Sequence, residues 1–160
     1  MEETSQIDGC KSFEAALHAA LAEAPAAGWR DLILCDPDFS HWPLGERAVV
    51  ECLTQWIGGH RHLTLVARHF DEFARRHSRW LRWRAQWSHV VTCRAVPDVA
   101  ADDVPILLLA PGALLLRIDD PLRLRGRVSR EPADLARARE QVDAILQRST
   151  DALPVTTLGL

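Results

Sequence analysis

Residues 104–118 read Val-Pro-Ile-Leu-Leu-Leu-Ala-Pro-Gly-Ala-Leu-Leu-Leu-Arg-Ile. Two apolar arms, Val104–Leu109 and Ala113–Ile118, flank Pro111-Gly112. The run is too short to span a bilayer as a helix, and the Pro-Gly pair interrupts it. Proline followed by glycine suits the centre of a type II turn. Tight hairpins favour the mirror-image turns, so a link slightly wider than two residues is expected. Neither arm alternates apolar with polar residues, which predicts strands covered on both faces.

Upstream, three more short apolar runs read as strands: Asp31–Cys35, His62–Ala67 and Val90–Val96. Each is separated from the next by helical periodicity. Ser12 can cap a helix to about Glu23, with Phe13, Ala16, Leu17, Ala20 and Leu21 on one stripe, before Pro25 and Gly28. Gly45 to Ile57 repeats the pattern with Val49, Cys52, Leu53, Trp56 and Ile57, and Gly58-Gly59 stops it. Residues 71–88 read as a third helix with a break near His77. Downstream, 119–130 read as a polar, arginine-rich loop. Pro132 opens a last helix to about Ser149, with Leu135, Ala138, Val142, Ile145 and Leu146 as its buried stripe. The β-α-β repeats call for parallel strands and the apolar hairpin adds antiparallel ones. The expectation is one α/β domain over 12–149, a mixed β-sheet flanked by helices on both faces, between a disordered tail at 1–11 and a C-terminal tail at 150–160.

Composition restricts function. The 160 residues are 48% apolar and 26% charged, a globular balance, and the net charge of −3 sets up no general attraction to nucleic acid or acidic membranes. The acidic start, Met1-Glu2-Glu3, is unlike a secretory signal, so a cytoplasmic protein is expected. Cys10, Cys35, Cys52 and Cys93 have no CxxC spacing; the last three lie among apolar residues and read as small core side chains. Neither a GxGxxG, a Walker nor a GxSxG pattern occurs. His60-Arg61-His62 lacks a partnering carboxylate or cysteine pattern, and neither metal nor cofactor is expected.

Three groups of side chains remain as candidate ligand sites. Arg68 through His89 carries Arg75, Arg76, Arg79, Arg82 and Arg84 interleaved with Trp80, Trp83 and Trp87. It reads either as a nucleic-acid surface or as an amphipathic helix with a solvated arginine face, and the second is favoured because the tryptophans flank the apolar side. His77 and Arg84 fall on that apolar side and suit either a buried anion site or local bonding at the core edge. Asp36, Asp38 and His41 follow the first strand, and Arg68 and His69 follow the second. Ligands collect at such strand ends in α/β sheets, so His41 is a candidate to converge with Arg68 and His69.

The element order, the apolar pair 104–109 and 113–118, the Arg76-His77-Ser78-Arg79 patch and the helix after Arg125-Gly126 resemble one half-unit of the phospholipase D-like superfamily. They are similar in particular to short bacterial uncharacterised proteins of that fold. The resemblance covers 29–149. It implies two half-units meeting to make one site, hence a homodimer. It also implies a His-x-Lys and an Asp near the hairpin, the histidine attacking a phosphodiester. Here the strand reads Ile106-Leu107-Leu108, no His-x-Lys occurs anywhere, and the sole lysine is Lys11. The neighbouring Asp102, Asp103, Asp119 and Asp120 are acidic. The resemblance therefore implies a catalytically silent relative acting as a binding or structural module, with His77 beside Arg79 the best candidate for a relocated nucleophile. A nucleic-acid or phosphate-ligand binder, and a hydrolase with an atypical His/Asp site, are the competing readings.

Overall fold

In a computed structural model, which describes residues 4–153, short apolar runs closed by turns form the centre of one sheet. The elements in chain order are β1 (Thr4–Asp8), α1 (Cys10–Ala27), β2 (Asp31–Cys35), α2 (Arg47–Trp56), β3 (His62–Ala67), α3 (Phe73–Arg76) and α4 (Ser78–Gln86). They continue with β4 (Val91–Ala95), a 3-10 turn (Ala101–Asp103), β5 (Ile106–Ala110), β6 (Leu114–Asp120), β7 (Arg125–Ser129), α5 (Pro132–Gln147) and β8 (Thr150–Asp151). Among the described residues eight strands lie in the order β1-β7-β6-β5-β2-β3-β4-β8. β2, β3 and β4 are parallel; every other pairing is antiparallel. The five apolar segments of the sequence thus sit side by side in one mixed sheet, as expected.

Alternate side chains serve two cores. Leu32, Leu34, Leu63, Leu65, Leu108 and Leu116 face α1, α2, α3 and α4, where Phe13, Leu17, Leu53, Phe73 and Trp80 pack against them. Ile33, Cys35, Val66, Leu107, Leu109 and Leu115 face α5 through Leu135, Ala138, Val142 and Ile145. This two-sided burial is why the central strands read as continuous apolar runs. At the hairpin Ala110 pairs with Leu114, leaving three linking residues, one more than in the tightest turn. Gly112 has φ 75° and the Ala113 N–H donates to the Ala110 carbonyl. Glycine meets the left-handed backbone that a turn after Pro111 requires.

Three expectations are corrected. Thr4–Asp8, read as part of a disordered tail, form β1 against β7, with Ile7 buried in the core. Residues 119–130, read as a loop, supply the end of β6, a turn and the whole of β7. Thr150–Asp151, read as tail, pair with β4. Polar strands near a sheet edge bury little and so carry no apolar signature; backbone pairing organises them. Residues 1–3 and 154–160 of the two expected tails lie outside the described residues.

Candidate functional site

The end of β2 holds the most connected polar group. The Asp36 N–H donates to the Val66 carbonyl, prolonging the β2–β3 ladder by one residue. Its buried carboxylate accepts from the Asp38 N–H (2.9 Å), the Phe39 N–H (2.7 Å) and the Trp42 indole N–H (3.0 Å). Burial pushes the Asp36 pKa up against the opposing pull of these three donors. The bonds fix a loop in which Phe39 adopts φ 58°, a conformation that ordinary side chains rarely take. Phe39 then passes the network on: its carbonyl accepts from His77 Nε2 at 2.9 Å. A carbonyl can only accept, so Nε2 carries a proton and donates it. Burial, assisted by the Arg76 charge, pushes the His77 pKa down and favours the neutral ring. The ring packs edge-on against Phe73 (4.8 Å between centroids). His77 is also the break between α3 and α4, with φ −128° and ψ 48°, where the sequence placed it.

The other sequence-picked residues are bound locally. Arg68 donates Nε to the Val99 carbonyl at 2.7 Å, and its N–H donates to the Pro37 carbonyl. His69 is exposed beside Asp71 (3.6 Å). His41 is exposed, and no hydrogen bond joins it to Arg68 or His69 among the described residues. Arg79 donates to the Gly45 carbonyl at 2.8 Å. The buried Arg84 guanidinium bonds the Leu153 carbonyl, while its Nε has no partner among the described residues. Asp36 and His77 are therefore linked through the backbone of Phe39, Asp36 to its N–H and His77 to its carbonyl, with Arg79 tied to the neighbouring loop, whereas the expected convergence of His41 with Arg68 and His69 does not form.

Trp80 and Trp83 are core side chains, 0% and 5% exposed, so they offer no open ring face to a nucleobase. At the hairpin, Leu107 and Leu108 are fully buried and stand opposite Arg117 and Leu116. Among the described residues no three His, Cys, Asp or Glu side chains gather into a metal-ligand set.

One further feature has almost no signature in the sequence. On the α5 side of the sheet, Arg117 of β6 and Arg127 of β7 are directly paired across the strands. With Leu115, Asp134, Arg137, Ala138 and Gln141 they line a groove of about 290 Å³. The period-two pattern Arg117-x-Asp119 and Arg125-x-Arg127 is its only sequence signal, and that pattern is legible only once 125–129 is known to be a strand.

No protein-family model and no curated protein sequence matches the chain. Solved structures do match, two of them as follows. TrmBL2, an archaeal chromatin protein with a novel mode of DNA binding, superposes with a TM-score of 0.67 at 12% identity, over 94% of this chain and 54% of that one. This chain thus spans about half the length of TrmBL2. Nuc from Salmonella typhimurium, a phospholipase D family member, superposes with a TM-score of 0.60 at 9% identity, over 95% of this chain and 100% of that one. The fold is phospholipase D-like. At these identities the likeness concerns fold alone.

Proposed function

We propose that this chain is a non-catalytic phospholipase D-like module that acts by binding, works as a homodimer and resides in the cytoplasm. The observation that carries the reading is the Asp36–Phe39–His77 chain: the carboxylate and imidazole best placed for chemistry are committed to backbone and indole partners inside the fold. A nucleophile or general base needs an accessible lone pair beside the substrate, and His77 is 4% exposed. The hairpin positions that the family resemblance assigns to His-x-Lys carry Ile106 and Leu108, which can neither attack phosphorus nor offset its charge. Pairing of two half-units is what the resemblance implies for a chain of this extent, and Nuc is matched over its whole length. Among the described residues no helix is long and apolar enough to cross a membrane.

The DNA binding of TrmBL2 raises the competing reading, a nucleic-acid surface on 68–89. Burial of Trp80 and Trp83 removes two of its three stacking rings, the half-buried Trp87 stacks on His89, and Arg75 and Arg76 are paired with Glu72 and Asp38. The test is turnover of a chromogenic phosphodiester, nucleic acids and phospholipids by purified protein, with sedimentation at micromolar concentration. Background turnover and a dimer are expected. Turnover abolished by His77→Ala, or by His41→Ala, overturns the non-catalytic reading, and a strict monomer removes the half-unit pairing. Submicromolar single-stranded DNA binding that falls steeply with salt and weakens on joint replacement of Arg79 and Arg82 establishes the competing surface instead.

A further inference from the structure

Like charges placed directly opposite on neighbouring strands repel, and a sheet ordinarily avoids them. Arg117 and Arg127 are so placed, with Asp119 the carboxylate that bridges them: it accepts from Arg127 Nη1 at 3.1 Å and lies 3.6 Å from Arg117 Nε. A third guanidinium, Arg137, reaches the same groove from α5. Its own partner, Asp134, is doubly engaged, accepting from Arg137 Nη2 at 2.7 Å and from the buried Ser129 hydroxyl at 2.7 Å. That hydroxyl bond, with the arginines around it, holds the Asp134 carboxyl below its ordinary pKa, so it stays ionised and keeps Arg137 at the groove. Gln141 accepts from Arg117 Nη1 at 2.9 Å, which fixes that guanidinium and leaves the amide NH2 as another donor. Three guanidinium charges therefore face two carboxylates, a local positive excess on a chain whose net charge is −3. Each guanidinium has five N–H donors and uses one or two on these partners. Planar, weakly hydrated guanidinium forks from two strands and a helix are suited to several oxygens of one tetrahedral anion.

We propose that this groove binds a small molecule through a phosphate dianion held by Arg117, Arg127 and Arg137. Its volume of about 290 Å³ accommodates a phosphate on a small organic body. It lies on the opposite face of the sheet from Leu108 and the tryptophan core. The assignment goes beyond the non-catalytic reading and does not depend on it: turnover would overturn that reading and leave this site standing.

The test is calorimetric titration of the full chain with inorganic phosphate and with glycerol phosphate, in chloride buffer of matched ionic strength. Saturable binding of at least one is expected, at least tenfold weaker in Arg117→Gln and in Arg127→Gln and unchanged in the double variant Arg79→Gln/Arg82→Gln. Tighter binding of glycerol phosphate identifies a phosphomonoester; equal binding identifies free phosphate. Arg137 is 72% exposed on α5, so Arg137→Gln keeps the fold and is expected to weaken binding severalfold even if a strand variant misfolds. Absence of saturable binding by either probe overturns the proposal. So does binding that Arg137→Gln leaves intact, or that the Arg79/Arg82 pair weakens equally.

Discussion

Asp36→Ala tests whether the polar network at the end of β2 holds the backbone. The substitution removes the acceptor for three N–H groups. Two of them, the Phe39 amide and the Trp42 indole, belong to residues 0% and 3% exposed and have no water to turn to. An orphaned buried donor costs about 1–3 kcal/mol, whereas the half-exposed Asp38 amide can be hydrated. Removal also relieves the cost of burying a carboxylate, which offsets part of that loss. The net expectation is a loss of about 2–4 kcal/mol, measured by urea denaturation followed by tryptophan fluorescence and far-UV circular dichroism. Asp36→Asn retains one carbonyl acceptor and is expected to lose less. Asp71→Ala, which removes only the exposed partner of His69, is expected to change stability by under about 0.5 kcal/mol. The pH dependence has a definite sign. The folded pKa of Asp36 lies above the unfolded value of 3.8, so folding favours its protonated form. Wild type is therefore expected to lose stability relative to Asp36→Asn as pH rises from 3.8 through the folded pKa. An Asp36→Ala loss no larger than that of Asp71→Ala would refute the structural role.

Three further predictions are checked by the same denaturation assay or by cysteine alkylation. A Cβ on Gly126 would collide with the Arg117 carbonyl and stand 2.7 Å from the Ile118 Cα, so Gly126→Ala is expected to cost about 2–4 kcal/mol by forcing β6 and β7 apart; near-wild-type stability would contradict the close approach. Leu108→Asp places an unpaired charge at a fully buried position between Leu34 and Leu116 and is expected to cost about 3–5 kcal/mol; an unchanged melt would show that β5 is not central. Burial pushes the Cys35 thiol far up and the Cys93 thiol up to about 11, so native alkylation is expected at Cys10 and Cys52 only, with Cys35 and Cys93 reacting after unfolding. Fast native labelling of Cys93 would contradict its place in the core.

The central sheet was legible because burial on both faces writes itself into composition. The runs at 31–35 and 62–67 match β2 and β3 residue for residue, since turn-forming or polar residues bound each one. β1 and β7 were not legible: Thr-Ser-Gln-Ile-Asp and Arg-Gly-Arg-Val-Ser carry one large apolar side chain each, and their pairing is a long-range backbone event. The same gap hid the Arg117–Arg127 pair, which exists only in the β6–β7 register. Within the site, the break at His77 and the odd polarity of His77 and Arg84 on an apolar face were visible from helical spacing. Their partners were not, because the carbonyls of Phe39 and Leu153 lie 38 and 69 residues away in the chain. The tryptophans of α4 sit deeper than their flanking positions suggested, because the break at His77 separates α3 from α4 and Trp80 packs against Phe73 across it.

The candidate catalytic groups serve the backbone, and the imidazole of His77 reports on that role most directly. Nitrogen-15 NMR of the histidine side chains across pH is the decisive measurement. It is expected to show His77 neutral at pH 7, protonated at Nε2, and titrating below the ordinary value of 6.5. Because its folded pKa is lowered, its neutral form is also expected to contribute stability above pH 6.5 that is lost as pH falls through 6.5 toward the folded pKa. A His77 ring protonated at Nδ1, or one that titrates above 6.5 with a free Nε2 lone pair, would contradict the bond to Phe39 and restore it as a nucleophile.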